Sequence, residues 1–356
     1  MPFIENNARW LRILGTPFTP FYALGSALHN RRYDSGRAAS ATFGFPVICV
    51  GNLCAGGSGK TPATEYLVRL LSPLYHVGVV SRGYGRSTKE NILARPDMDA
   101  ARIGDEPLQY MQKFGQGTPH GFSLYLAAGR KEGIAELKAL RPECGVVVLD
   151  DAYQHRQVRA GLSILLTEYA RPYFKDRLLP MGLLRESRKG SRRADIIVVT
   201  KCPETLSQAQ KEAFLAECRP LPHQKVFFST IEYESVELPP NLVLLTGIAR
   251  PESMEEHLRR QGFDILRHFR FGDHHAYTES DLQPVADYCR AASARKKELT
   301  LLTTQKDLAR LDRPELRRVL EGVPLRALPI RMRFLFGEGE AFDREILRFA
   351  ASHEKI

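Results

Sequence analysis

Short, unbroken apolar runs punctuate this chain, and most are followed by a segment of helical periodicity. Such runs predict strands buried on both faces, and their alternation with helices predicts a doubly wound, mainly parallel α/β sheet. The first begins at residue 47 and passes through a glycine-rich loop into a helix over 62–71. Residues 75–80 and 145–149 are further strands, and 195–200 and 225–231 complete the sheet. Helices are expected over 132–140 and after Gly104-Asp105-Glu106-Pro107. A polar, proline-marked stretch at 232–240 breaks the pattern, and strands over 242–246 and 299–303 in a helix-rich tail predict a second α/β unit. The expected organisation is an N-terminal segment (1–37), a P-loop-type α/β domain (38–231), a linker (232–240) and a smaller C-terminal α/β domain (241–356) that closes over the site.

The N-terminal segment has its own pattern. From Trp10 to Leu28 it is rich in apolar and aromatic residues, with Arg9, Arg12, Arg31 and Arg32 at its flanks. Arg12, Gly15, Pro17 and Pro20 interrupt it, so it lacks the roughly 20 uninterrupted apolar residues of a membrane span. Two readings stay open: an amphipathic element lying in a membrane interface, or a helix packed on the core.

Composition narrows the picture. A chain of 356 residues is expected to form two domains, and 43% hydrophobic with 26% charged residues is ordinary globular material. The six cysteines are scattered without metal-ligand spacing, which fits reduced thiols. A net charge of +10 implies anionic partners, and the basic residues concentrate between Arg171 and Arg193. No nucleic-acid recognition signature accompanies that charge, so nucleic acid is not an expected partner.

The chemistry starts at Gly51-Asn52-Leu53-Cys54-Ala55-Gly56-Gly57-Ser58-Gly59-Lys60-Thr61. Glycines let successive backbone N–H groups turn onto a polyphosphate, Lys60 reaches the β/γ-phosphates, and the Thr61 hydroxyl can ligand Mg²⁺. Cys54 stands where the strict pattern has glycine; Gly56 and Gly57 supply the needed freedom. Asn52, Gly56, Gly57, Ser58, Gly59, Lys60 and Thr61 are therefore the expected nucleotide contacts. An apolar strand ending in Asp150-Asp151 offers hard oxygen ligands for the ion, although aspartates are also common in strand-end turns.

Asp105 is a candidate to orient or deprotonate a nucleophile, but its place before a helix favours plain N-capping. Asp273-His274-His275 is a second polar cluster, without the spacing of a structural zinc site. After the strand at 195–200 the chain reads Thr200-Lys201-Cys202-Pro203, where a guanine-specific loop would need a carboxylate, so an adenine nucleotide is favoured. Ala55 occupies the position of the signature lysine of partitioning ATPases.

Taken together the chain resembles the tetraacyldisaccharide 4'-kinase family, the lipid A 4'-kinases of Gram-negative bacteria. The resemblance runs over nearly the whole length. It rests on the phosphate loop through Pro62, Ser81-Arg82-Gly83-Tyr84-Gly85-Arg86, Gly104-Asp105-Glu106-Pro107, Asp150-Asp151-Ala152-Tyr153-Gln154-His155, Leu178-Leu179-Pro180, Leu184-Arg185-Glu186, Asp273-His274-His275 and Thr303-Thr304-Gln305-Lys306-Asp307. Ala152, Tyr153 and Gln305 depart from the family's usual Gly, Phe and Glu without removing a reactive group.

The resemblance implies phosphorylation, with ATP and Mg²⁺, of the 4'-hydroxyl of a tetraacylated glucosamine disaccharide 1-phosphate at the cytoplasmic face of the bacterial inner membrane. It makes Asp105 the catalytic base, assisted by His274 or His275, and places Arg82, Tyr84, Arg185 and Glu186 at the lipid A precursor. The interfacial reading of the N-terminal segment follows from the same substrate. The competing class is a P-loop switch or chaperone-type NTPase, which Ala55, the absent guanine loop and the apolar N-terminal segment disfavour.

Overall fold

The computed structural model describes residues 16–86, 88–273, 275–295 and 298–353. Trp10 to Gly15 of the apolar N-terminal segment and His274 of the polar cluster lie outside the described residues.

The first unit comprises α1 (Thr19–Asp34), β1 (Val47–Asn52), α2 (Lys60–Leu71), β2 (His76–Ser81), β3 (Ile92–Leu93), α3 (Ala100–Ile103) and α4 (Asp105–Phe114). It continues through β4 (Phe122–Leu126), α5 (Arg130–Leu140), β5 (Cys144–Leu149), β6 (Leu162–Glu168), β7 (Ile196–Thr200), α6 (Gln208–Cys218) and β8 (Lys225–Tyr233). The second unit contains β9 (Asn241–Thr246), α7 (Glu252–Arg260), β10 (Asp264–Arg270), α8 (Glu279–Arg295), β11 (Leu299–Thr304), α9 (Gln305–Leu311), α10 (Pro314–Val319) and β12 (Leu325–Leu328). The chain ends with β13 (Ile330–Phe334) and α11 (Gly339–Ala351).

The expected doubly wound sheet is present. Nine strands lie in the order β13-β8-β7-β6-β1-β5-β2-β4-β3, parallel except at the edge strands β13 and β3. Alternating side chains of the central strands fill two cores. Ile48, Val50 and Val148 pack with Leu67 and Ile346 on one face; Cys49, Val147 and Leu149 pack with Ile134 and Leu137 on the other. Burial on both faces explains the unbroken apolar runs.

The sequence order reverses at β1, which lies between β5 and β6. In such sheets the ligand crevice opens beyond the carboxyl ends of the strands at that switch point. Asn52, Ser81, Asp150, Glu168 and Thr200 all stand there, at or just past the ends of β1, β2, β5, β6 and β7.

The second unit is a four-stranded parallel sheet, β10-β9-β11-β12. The boundary expected at 241–356 is corrected at its far end. Beyond Pro329 the chain leaves the small sheet, and β13 pairs antiparallel with β8 of the large one. Phe334 and Phe342 hold this return in place, 4.4 Å from each other and 5.2 and 5.7 Å from Tyr66 of α2. Burial of these rings against the large core favours the return over extending a small sheet into solvent.

Helix α1 has no fully buried residue. Phe18, Phe21, Leu24 and Leu28 recur at three- and four-residue spacing and are 54–74% exposed. No described helix is long and apolar enough to cross a membrane.

Candidate active site

The phosphate loop is braced from within and from the sheet. Asn52 is buried at the end of β1, and its amide donates to Cys54 O (2.6 Å) and Ser58 Oγ (2.7 Å). The Thr200 hydroxyl donates to Ser58 O at 2.8 Å, tying the loop to β7. Gly56 and Gly59 take φ values of 110° and 83°, which a side chain would strain. Gly59 then caps α2, so Lys60 and Thr61 open a helix whose free N–H groups face the loop. Strand, glycine turn and helix start together fit a polyphosphate.

The two aspartates after β5 have opposite surroundings. Asp150 is 1% exposed and accepts hydrogen bonds from Ser81 Oγ (3.1 Å) and Thr64 Oγ1 (3.4 Å). Burial pushes its pKa up to about 7, and the negative charges of Glu106 and Asp151 add to the rise. Buried Arg130 donates to its backbone carbonyl at 3.0 Å. Asp151 sits in the left-handed region, φ 47°, an uncommon conformation tolerated best by Asp and Asn. That turn aims its carboxylate at cations: Arg185 Nη1 lies 3.1 Å from Oδ1 and Lys60 Nζ 3.7 Å.

A buried carboxylate touched by hydroxyls and repelled by its neighbours has the donor chemistry for a hard divalent cation. Among the described residues no cluster of three or more His, Cys, Asp and Glu could hold a metal. The oxygen donors of Asp150 and Asp151 suit Mg²⁺, which commonly takes one or two carboxylates and completes its shell with phosphate oxygens and water.

The capping expectation for Asp105 is corrected. Gly104 is the N-cap of α4, with φ 95°, and a Cβ there would meet Tyr84 O at 2.8 Å. Gly104 thereby lets the Arg82–Arg86 loop pack against the start of α4, and Asp105 becomes the first helical residue. Its carboxylate makes no cap; Oδ2 accepts from Arg310 Nε of the second unit at 2.7 Å. Lys306 lies beside this pair, and burial and Arg310 lower its pKa against the opposing pull of Asp273, Glu106 and Asp105. His275 Nε2 is 3.0 Å from Asp281 Oδ2, and its ring stacks on Phe271 at 4.7 Å.

The basic segment divides. Arg185 joins the site through Asp151, and its carbonyl accepts from Tyr22 of α1 at 2.7 Å. Glu186, expected at the substrate, turns inward: it is 2% exposed and accepts from Arg193 (2.7 and 2.9 Å), Asn30 (3.1 Å) and Gln154 (3.2 Å). Its oxygens are taken by the protein, because a buried carboxylate needs a paired cation and hydrogen-bond donors. Gln154 also donates to Asn52 O at 2.7 Å, linking the aspartate loop to the phosphate loop. Arg82 and Tyr84 are exposed, Tyr84 by 81%. His155 is half-buried; desolvation, then Arg130 and Arg82, depress its pKa to about 4, so it is neutral at pH 7.

Sequence reasoning missed Ser81 and Thr64 at Asp150, Arg130 behind it and Arg310 at Asp105. Only Ser81 lay in a motif singled out beforehand. Arg130 and Arg310 are helix residues whose burial no local pattern announces.

The fold and this crevice define a P-loop phosphotransferase, in which a phosphate cradle, paired carboxylates and a second-unit arginine share one edge of the sheet. The family profile described as Tetraacyldisaccharide-1-P 4'-kinase matches residues 11–350. A curated tetraacyldisaccharide 4'-kinase of Flavobacterium johnsoniae is 38% identical, over 95% of this chain and 97% of its own length. One from Bacteroides fragilis strain YCH46 is 36% identical over 95% and 93%. The crystal structure of Aquifex aeolicus LpxK in complex with ATP is similar at a TM-score of 0.73 and 28% identity, covering 95% of this chain and 99% of that one. The chain belongs to the tetraacyldisaccharide 4'-kinase family.

Proposed function

We propose that this protein transfers the γ-phosphoryl group of ATP to the 4'-hydroxyl of a tetraacylated glucosamine disaccharide 1-phosphate, as a peripheral enzyme on the cytoplasmic face of the inner membrane. The observation that carries this reading is the meeting, at the carboxyl ends of β1, β2 and β5, of the phosphate loop with Asp150 and Asp151.

A sugar hydroxyl is too weak an acid for a carboxylate to ionise in advance. Asp105 instead orients the hydroxyl and accepts its proton late, through a loose transition state. The new O–P bond forms as the bond to the β,γ-bridging oxygen breaks, and that electron pair leaves with ADP. Lys60 meets the charge on the transferred group. Asp150, Asp151 and Thr61 would hold Mg²⁺, which would supply further charge neutralisation. A histidine of the Asp273-His274-His275 cluster assists Asp105. Arg185, with Arg82 and Tyr84 at the mouth, grips the acceptor's phosphate, which a guanidinium can match bidentately. The second unit closes over the crevice and excludes water that would otherwise hydrolyse ATP.

The test is turnover of ATP in detergent micelles with and without the tetraacyl disaccharide 1-phosphate, following phosphate onto lipid. Product carrying a second phosphate is expected, with Lys60→Ala lowering kcat by about 100-fold or more. Lipid-independent hydrolysis with no phosphorylated lipid would instead make the chain a P-loop switch.

A further inference from the structure

Asp105 and Arg310 belong to different units and stand 205 residues apart in sequence. The guanidinium that reaches Asp105 is itself fixed by a buried chain. Thr304 Oγ1 (2.8 Å) and Gly247 N (3.0 Å) both donate to Asp307 Oδ2, and Asp307 is fully buried. Arg310 Nη1 donates to Asp307 Oδ1 (3.1 Å) and Gly247 O (3.0 Å), which leaves Nε directed at Asp105 Oδ2. Gly247 has no room for a side chain, since a Cβ would meet Tyr277 Oη at 2.7 Å and Asp307 Oδ1 at 3.0 Å. Two further contacts fasten the same seam between α4 and α9: Lys113 to Gln305 (2.7 Å) and Gln112 to Asp312 (3.2 Å).

We propose that Arg310 is the positioning residue for the catalytic base: it holds Asp105 Oδ2, presents Oδ1 to the acceptor hydroxyl, and makes the base's aim depend on the seating of the second unit. A flexible ammonium could supply charge here, but a planar guanidinium anchored at Nη1 and donating from Nε also supplies direction. A buried carboxylate such as Asp307 could have been replaced by an apolar residue had packing alone been required. The proposal rests on Asp105 being the base.

The experiment measures kcat, KM for ATP and thermal midpoint for Arg310→Gln, Arg310→Lys, Asp105→Ala and the Asp105→Ala/Arg310→Gln double variant. Arg310→Gln is expected to lower kcat by about 10- to 100-fold, the cost of a misplaced reacting group. KM for ATP should stay within about twofold, because the phosphate loop is untouched. Arg310→Lys should recover part of the loss, and the double variant should be no slower than Asp105→Ala. Wild-type kcat in Arg310→Gln, or losses that multiply in the double variant, would overturn the positioning role. A thermal midpoint lowered equally in Arg310→Gln and Arg310→Lys, with kcat intact at low temperature, would make the contact structural only. Near-wild-type turnover in Asp105→Ala would overturn the base assignment itself, independently of Arg310.

Discussion

Neighbouring carboxylates in this protein do different work because their surroundings differ. Asp150 is sealed among hydroxyls, Asp151 faces Lys60 and Arg185, and Glu186 is consumed by Arg193. Glu186→Ala is expected to cost about 2–3 kcal/mol of stability, since it removes the buried carboxylate that pairs with half-buried Arg193. Urea unfolding measures this, and Glu186→Gln should lose less while KM for the lipid acceptor stays near wild type. A raised acceptor KM in Glu186→Gln, with full stability, would return Glu186 to the substrate. The residue types at the crevice were readable from motifs; their orientations were not. Asp105 before a helix reads as a cap until Gly104 takes that position and Arg310 arrives from the other unit.

Among elements, the joint between α7 and β10 shows how one carboxylate fastens a helix to an edge strand. Glu255 accepts from His268 (2.8 Å), Arg270 (2.6 Å) and Arg259 (3.1 Å). These bonds, that from His268 foremost, depress its pKa from 4.5 to about 2. A carboxylate with a lowered folded-state pKa contributes stability that is full above its unfolded value and is lost as pH falls through the folded one. The stability gap between wild type and Glu255→Gln should therefore be widest above about pH 4.5 and close toward pH 2, read by urea unfolding at several pH values. A gap that stays constant over that window would contradict the ion-pair account. Strands such as β5 were legible because burial on both faces leaves a continuous apolar run, whereas β13 gave no sign of its sheet. Its partner β8 lies about a hundred residues earlier, and strand order is carried by packing rather than by periodicity.

At the scale of the molecule, a helix with exposed apolar residues in its first half lies beside Arg185 of the crevice. Phe18, just before α1, and Phe21 and Leu24 within it are exposed, while Tyr22 and Asn30 fasten the helix to Arg185 and Glu186. Burial of such a face in a headgroup region is worth about 1.5–3 kcal/mol per large side chain. Replacing Phe18, Phe21 and Leu24 together with serine should abolish cosedimentation with anionic phospholipid vesicles and leave ATP binding unchanged. Retained cosedimentation, or none with the wild type, would overturn the interfacial reading of this face. The phosphate cradle is legible in the sequence alone, because its strand, glycine turn and helix start are consecutive, although Thr200 and Gln154 brace it from distant segments. The doubly wound class follows likewise from apolar runs alternating with helices. The partner of Asp105, the inward turn of Glu186 and the return of β13 were decided only by the tertiary structure. Each depends on a contact between distant segments, whose free energy exists only once the two cores have formed and which leaves no periodic mark along the chain.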